Sequence, residues 1–427
     1  MDRTFFLKYG ERDVEIPIQG AHSIHVLQEN PMKEIEDLRA AFYKAVEQEP
    51  IDSLPLSQLI GKDDLVTLVV SDITRAWMHQ DQIVEPLVSF LHETCKVPYA
   101  HMVILIALGT HRPNTEEEMK QIVSPAVYEN VQVINHNCDA PDLVYVGTTS
   151  RGTRVEVNPL VVGRKVILIG GTVHHLMAGF GGGRKSVLPG VSSRRSIREN
   201  HERALSPTEK KTDDKVGSGK LSLNPIHEDM DEAAALVAPV FGINLVVASS
   251  GKHSGLFCGN WRTAWEASCR YQKQCYEVPV DHLADVVIVS CGGYPKDINL
   301  YQAIKSPLNA INAMKPGGTL LFLAECRDGG GAKDYFDWIR PLKEGRLDEA
   351  LRADFTIGGY IFYATCEWLR RGNIFLMSEL PPELVKEMNI TSAPQIETLL
   401  KQIDFTGKDV YVVPYGGYVL PVPPVSE

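Results

Sequence analysis

No C-x-x-C pair occurs among the eight cysteines, which are scattered along the 427 residues. That scatter supports neither a zinc ribbon nor a disulfide framework, and a reducing cytoplasm is the expected location. No apolar run approaches the length needed to cross a bilayer, so no membrane partner is expected. The first residues, Met1-Asp-Arg-Thr-Phe-Phe-Leu-Lys8, lack a secretory apolar region. Positive charge is in short supply. The net charge is −11, which argues against a nucleic-acid partner. No internal repeat or low-complexity segment is present.

What is there describes an ordinary globular α/β protein. The chain exceeds the usual single-core length, so two domains are expected. Short β-branched runs alternate with helical patterns, which predicts open, largely parallel sheets. Expected strands are Leu65–Val70, Val103–Ala107, Val131–Ile134, Val166–Ile169, Leu245–Ala248, Val286–Val289, Thr319–Leu323 and Val410–Val413. Asn114-Thr115-Glu-Glu-Glu118 reads as a capped helix start, and Ser192–Leu205 as a basic helix. The polar stretch Thr208–Asn224 reads as an exposed loop, a candidate lid. A second α/β unit starts near Glu277. The expected division is residues 1–276 for an N-terminal, cofactor-binding domain and 277–406 for a C-terminal one. The tail, 407–427, is expected to return to the first.

The densest chemistry lies between Val166 and Gly190. An apolar run ends in a glycine-rich loop holding His174, His175, Lys185 and Ser186. Glycines let backbone approach a ligand closely, and loops that follow strands bind phosphates in α/β proteins. The Walker A pattern fails, because Arg184 stands where its second glycine belongs. G-x-G-x-x-G is also absent: Gly179-Phe-Gly181-Gly-Gly-Arg184 ends in arginine.

Three other expected strands end in the same manner. They run into Ser71-Asp72-Ile73-Thr74-Arg75, into Leu108-Gly-Thr-His111-Arg-Pro113, and into Ser290-Cys-Gly-Gly-Tyr-Pro-Lys296-Asp297. Ligands of open α/β sheets bind outside the carboxyl ends of the strands. Four loaded strand ends predict one shared site in a cleft between the two domains. Asp72 could equally cap a helix, Arg75 could form a surface ion pair, and His201 could be a surface residue. His174 and His175 are neighbours and point different ways, so at most one is expected to face the site. Gln302 and Lys305 would share a helix face. Trp261, Trp265, Trp338 and Trp368 read as packing residues.

Ser71-Asp-x-Thr-Arg75, Leu108-Gly-Thr-His-Arg-Pro113, His175…Gly-Gly-Gly-Arg-Lys185, Glu199-Asn-His201 and Gly293-Tyr-Pro-Lys-Asp-Ile-Asn-Leu-Tyr-Gln302 stand in one order along the chain. Together they resemble the nickel-dependent lactate racemase family. The chain departs from the family at Ala76-Trp77, where proline frequently follows the arginine.

The resemblance implies a racemase or epimerase of 2-hydroxy acids. It implies a nickel pincer cofactor, Ni(II)-pyridinium-3,5-bisthiocarboxylate mononucleotide, joined covalently to Lys185, with His201 as the protein ligand to nickel. Asp72, Ile73, Thr74 and Arg75 would handle the cofactor and its phosphate. His111 and His175 would be the acid/base pair, His175 being preferred to His174 for its ten-residue spacing to the lysine. Arg75, Tyr301, Gln302 and Lys305 would bind substrate. Cofactor-biosynthesis proteins are the implied partners for loading. Reversible hydride removal to a flat 2-keto acid would account for the need for a base on each face. The rivals are a nucleotide-dependent dehydrogenase, which would consume a 2-hydroxy acid with NAD, and a cofactor carrier, which would not turn over.

Overall fold

The computed structural model describes residues 1–424. The chain divides into two compact units. A central unit holds residues 31–207 and 213–274, and a terminal unit holds 1–30, 208–212 and the chain from 275 onward. Among the described residues, no helix is long and apolar enough to cross a membrane.

The central unit is built on a six-stranded sheet in the order His253–Gly259, Phe241–Val247, Lys165–Gly171, Val66–Ser71, Met102–Ala107, Gln132–Asn135. All neighbours are parallel except the first pair. Val66, Thr67, Leu68, Val69 and Val70 are all buried. Burial without alternation is what a strand covered on both faces requires, and it explains the unbroken β-branched run. The helix Asp81–Glu93 covers one face with Ile83, Val84, Leu87, Val88 and Leu91, a spacing that puts them on one side. From Val66–Ser71 the chain moves outward through Met102–Ala107 and Gln132–Asn135, then returns to place Lys165–Gly171 on the opposite side. Loops leaving these two adjacent central strands diverge, and a crevice opens at their carboxyl ends.

The terminal unit carries a second six-stranded sheet, wholly parallel, in the order Ile390–Ala393, Asn373–Met377, Met314–Leu323, Ala284–Ser290, Asp409–Val413, Ser23–Val26. The hairpin Arg3–Tyr9/Arg12–Ile18 lays Phe5, Leu7, Tyr9, Val14, Ile16 and Ile18 into the core beside Val286, Ile288, Leu321 and Leu323. Its alternation of exposed and buried residues is that of a one-sided strand pair.

The expected strands are present, with Phe241–Val247 and Met314–Leu323 beginning earlier than the sequence suggests. The expected division is corrected at both ends. The strand in the tail does not return to the central sheet. Asp409–Val413 lies between Ala284–Ser290 and Ser23–Val26, so residues 1–30 also belong with the terminal unit. Val410 and Val412 are fully buried, and a parallel strand with such residues is satisfied between two neighbours. Residues 208–224 form no helix or strand. Within the terminal unit, Lys210 Nζ bonds Glu349 at 2.6 Å and the Thr212 N–H bonds Glu367 at 2.9 Å.

Candidate active site

Three loops of the central unit meet over the crevice. A Cβ on Gly170 would lie 3.5 Å from the Gly182 Cα and 3.8 Å from the hydroxyls of both Ser71 and Ser186. On Gly171 it would collide with the Met78 sulfur at 1.9 Å. The Gly109 N–H donates to the Gly190 carbonyl at 2.9 Å, tying the second strand end to the far end of the glycine loop. Gly109, Gly179, Gly182 and Gly183 all have positive φ, a region that side chains disfavour.

The first loop is the turn Ile73–Met78, started by Asp72. Asp72 is buried, and both its oxygens are engaged. Oδ1 accepts from the Thr74 N–H at 3.1 Å and the Thr74 hydroxyl at 2.5 Å, and Oδ2 lies 2.5 Å from His111 Nδ1. Burial alone would raise this carboxyl. The bond to His111, its charge, Thr74 and Arg75 outweigh burial and hold it below the usual carboxylate range. His111 itself is half-exposed. Arg75 leans on the Thr74 hydroxyl at 3.0 Å and its carbonyl at 3.3 Å. The Ile73 N–H is held by Asn114 at 3.4 Å.

The second loop is gripped from below by Arg184, a fully buried residue to which the sequence assigned no role. Its guanidinium donates to the carbonyls of Phe180 at 3.0 Å and Ala178 at 2.6 Å, and to His227 Nδ1 at 3.0 Å. It also lies 3.8 Å from the centre of the Trp265 ring. Trp265 donates its indole N–H to the Gly181 carbonyl at 2.8 Å. A Cβ on Gly183 would meet that indole at 2.5 Å, so the loop can lie there only as glycine. Burial pushes Arg184 down to about 10, and burial with the nearby arginines pushes His227 down to about 3. Trp265 is thus a packing residue that also fixes backbone. No motif marks His227 in the sequence, and Arg184 stands in the Gly-Gly-Gly-Arg-Lys185 motif with no role assigned to it.

On the loop so held, His175 Nδ1 accepts from the Met177 and Ala178 N–H groups at 3.2 and 3.1 Å. Its Nε2 stands 3.4 Å from Lys185 Nζ. His174 points elsewhere, its ring 4.9 Å from that of Phe180. The structure therefore brings Asp72, Thr74, Arg75 and His111 together at one loop, and His175 and Lys185 at another.

His201 ends the helix Arg194–His201, which Ser193 caps. It is buried rather than on the surface, and its Nδ1 lies 2.9 Å from the Ile197 carbonyl. Burial first, and then the charge of nearby Lys185, pushes it down to about 3. A neutral imidazole with Nδ1–H turned to a carbonyl presents a bare Nε2, the form in which histidine binds a metal. Next to it, Asn200 donates to the Ile226 carbonyl at 3.2 Å and to the buried Asp229 at 2.8 Å. Asp229 in turn accepts from Thr149 at 2.5 Å and Thr153 at 2.7 Å. This anchor for the helix was not legible as a motif.

In the terminal unit, Asn299 caps the helix Leu300–Ala303 through the Gln302 N–H at 3.0 Å. Lys305 Nζ donates to Gln302 Oε1 at 2.6 Å and lies 5.8 Å from the centre of the Tyr301 ring. Asp297 holds the preceding loop by accepting from the Gly10 N–H at 2.7 Å.

Among the described residues, no group of three or more His, Cys, Asp or Glu could hold a metal ion. A single buried imidazole fits a metal whose other donors arrive with an organic cofactor.

Residues 9–213 match the lactate racemase N-terminal domain and residues 280–420 the lactate racemase C-terminal domain. The chain is 34% identical over 302 residues to a lactate racemase of Thermoanaerobacterium thermosaccharolyticum, covering 70% of this chain and 68% of that one. It is 33% identical over 309 residues to a lactate racemase of Lactiplantibacillus plantarum, covering 71% and 70%. The lactate racemase apoprotein structure from T. thermosaccharolyticum aligns with a TM-score of 0.87 at 27% identity, over 98% of this chain and 100% of that one. A Thermotoga maritima protein shares the fold alone, with a TM-score of 0.67 at 19% identity over 93% and 100%. The chain belongs to the lactate racemase family, whose activity is that of an isomerase.

Proposed function

We propose that the protein racemises lactate or a closely related 2-hydroxy acid, using a nickel pincer pyridinium mononucleotide joined to Lys185. The observation that carries this reading is the buried His201, its Nδ1 turned to the Ile197 carbonyl, near Lys185 on a glycine loop built for close approach. His201 Nε2 is the proposed nickel ligand and Lys185 Nζ the point of attachment. When bound, the cofactor supplies a two-electron acceptor for the hydrogen on the substrate's α-carbon. The protein does the rest.

Arg75 binds the carboxylate of the substrate, and Gln302 and Lys305 are the substrate-binding groups that the family resemblance assigns to the terminal unit. Planar guanidinium and ammonium donors suit a carboxylate whose neighbouring carbon is becoming a carbonyl. His111 and His175 each hold or release the hydroxyl proton, one for each enantiomer. The Ser71 and Ser186 hydroxyls, which face one another across Gly170, are the neutral donors proposed for a phosphate.

The test is the intact mass and nickel content of protein co-produced with a cofactor-making pathway, followed by racemisation of a single lactate enantiomer. The expected outcome is added mass mapping to Lys185, nickel in proportion, and approach to equal enantiomers. An unmodified Lys185 without nickel, beside a lactate racemase control that loads, would sink the proposal.

A further inference from the structure

The two proposed acid/base histidines are held by opposite means. His111 Nδ1 faces a buried carboxylate oxygen of Asp72 at 2.5 Å. A carboxylate with depressed proton affinity can only accept, so His111 must donate from Nδ1, and a neutral ring then leaves Nε2 bare. His175 Nδ1 faces two backbone N–H groups, those of Met177 and Ala178 at 3.2 and 3.1 Å. Backbone N–H groups can only donate, and they cannot turn away. His175 Nδ1 must therefore be bare, and a neutral ring carries its proton on Nε2. Lys185 Nζ, 3.4 Å from Nε2, sits at the limit of hydrogen-bond distance and competes with two shorter bonds from fixed donors.

The donors are themselves braced. The Ala178 carbonyl accepts from the buried Arg184 at 2.6 Å, and Asn224 donates to the Met177 carbonyl at 2.9 Å. The short strands His174–His175 and Gly179–Phe180 pair antiparallel on either side of the turn. On the other side, Thr74 fixes the second oxygen of Asp72, so that the carboxylate cannot rotate away from His111.

We propose that Asp72 is the positioning residue of His111, that the Met177 and Ala178 amides play the same part for His175, and that the two rings are thereby fixed in opposite tautomers. This rests on the racemase reading for its consequence but not for its test. One histidine meets substrate with a lone pair and the other with an N–H. The enantiomer whose hydroxyl faces His111 can give up its proton at once. The other must wait until the 177–178 amides release Nδ1 and the ring exchanges its Nε2 proton for one on Nδ1 by way of water. Enantiomers have equal free energies, so kcat/KM is equal in the two directions. The difference must therefore appear as a higher kcat, matched by a higher KM, for one enantiomer.

The experiment is two-bond ¹H–¹⁵N correlation on the full, unloaded chain labelled at histidine ring nitrogens, with signals assigned by their loss in His111→Gln and His175→Gln. Protonated and bare ring nitrogens have well-separated shifts. In the neutral rings, His175 is expected with Nε2 protonated and Nδ1 bare, and His111 with the reverse. The same tautomer in both rings, or exchange between tautomers in both, overturns the proposal. Asp72→Asn is expected to mix the tautomers of His111 and leave His175 unchanged, which separates a positioning effect from general loosening. In loaded protein, Asp72→Asn should lower kcat/KM on the order of 100-fold, equally in both directions. His111 unchanged in Asp72→Asn removes Asp72 from the role. If loaded wild-type protein is inactive while the tautomers are as stated, the racemase reading fails and the assignment of the rings stands.

Discussion

The two units use similar sheets for unequal chemical duties. In the central unit, buried or half-buried ionisable groups crowd the strand ends, Asp72, His175 and Lys185, with Arg184 beneath the glycine loop and His201 near Lys185 at a helix end. Asp72, His175, His201 and Arg184 are each held by a backbone N–H or carbonyl, whose hydrogen-bonding direction is fixed. In the terminal unit, the corresponding loop offers Gln302 and Lys305, joined to one another. The central unit thus holds the proposed cofactor and proton-handling groups in rigid settings, and the terminal unit carries a short polar pair. Loss of a rigid group should abolish function, while loss of a polar one should weaken it.

The largest effect is expected from Lys185→Ala and His201→Ala. Each should leave no detectable racemisation after co-production with the cofactor pathway. Lys185→Ala should also lose the added mass, and His201→Ala should lose nickel. Full activity in both would end the distinction between the units. His111→Ala and His175→Ala should lose activity while retaining nickel, as metal analysis can show, since neither is assigned as a ligand.

Arg184→Lys sharpens the comparison through stability. A lysine cannot bond two carbonyls and His227 while stacking on Trp265. A loss of roughly 2–3 kcal/mol in urea unfolding of the unloaded chain is expected. A loss indistinguishable from zero would mean that the loop is held by its glycines alone.

Lys305→Ala should raise KM about tenfold, the worth of one charge-assisted bond to a carboxylate, with nickel retained. A collapse of kcat instead would place Lys305 among the rigid groups.

The smallest effect concerns acid stability. His227 is pushed from 6.5 down to about 3 in the folded chain. Between those values the unfolded chain binds the extra proton, so stability rises with pH, is complete above about 6.5, and is lost as pH falls towards 3. The slope is at most about 1.4 kcal/mol per pH unit. His227→Gln, which can still accept from Arg184, should flatten the urea midpoint between wild-type pH 7 and pH 5, by order of magnitude about 1 kcal/mol. An unchanged pH slope would show that His227 does not titrate there.

The central strands and their loaded ends were legible because two-sided burial writes itself as unbroken Val, Ile and Leu. Polar residues directly after such a run have few structural reasons to be there. The hairpin Arg3–Tyr9/Arg12–Ile18 was missed although its alternation is regular, and so were Asn373–Met377 and Ile390–Ala393. The destination of the tail was misread for a different reason. Val410–Val413 announces a buried strand but nothing in it names the neighbour it pairs with. Within the site, Lys185 and the histidines were visible as chemistry. Arg184 was not, since its work is to bond carbonyls, and carbonyls leave no trace in side-chain patterns. Asp72 was legible as a polar residue at a strand end, but its bond to His111 joins residues far apart in the sequence.

Apart from residues 208–212, the chain is outside the terminal unit from after Asn30 until Cys275, and the Asn30 N–H donates to the Cys275 carbonyl at 2.8 Å. During synthesis, Ser23–Val26 leaves the ribosome early, yet the strand it pairs with, Asp409–Val413, emerges near the end. The central sheet needs nothing beyond Gly259 for its last strand. Domains fold as units while the chain is made. The loop bearing Lys185 can therefore take its shape on a nascent polypeptide whose opening strand is still waiting for its neighbour.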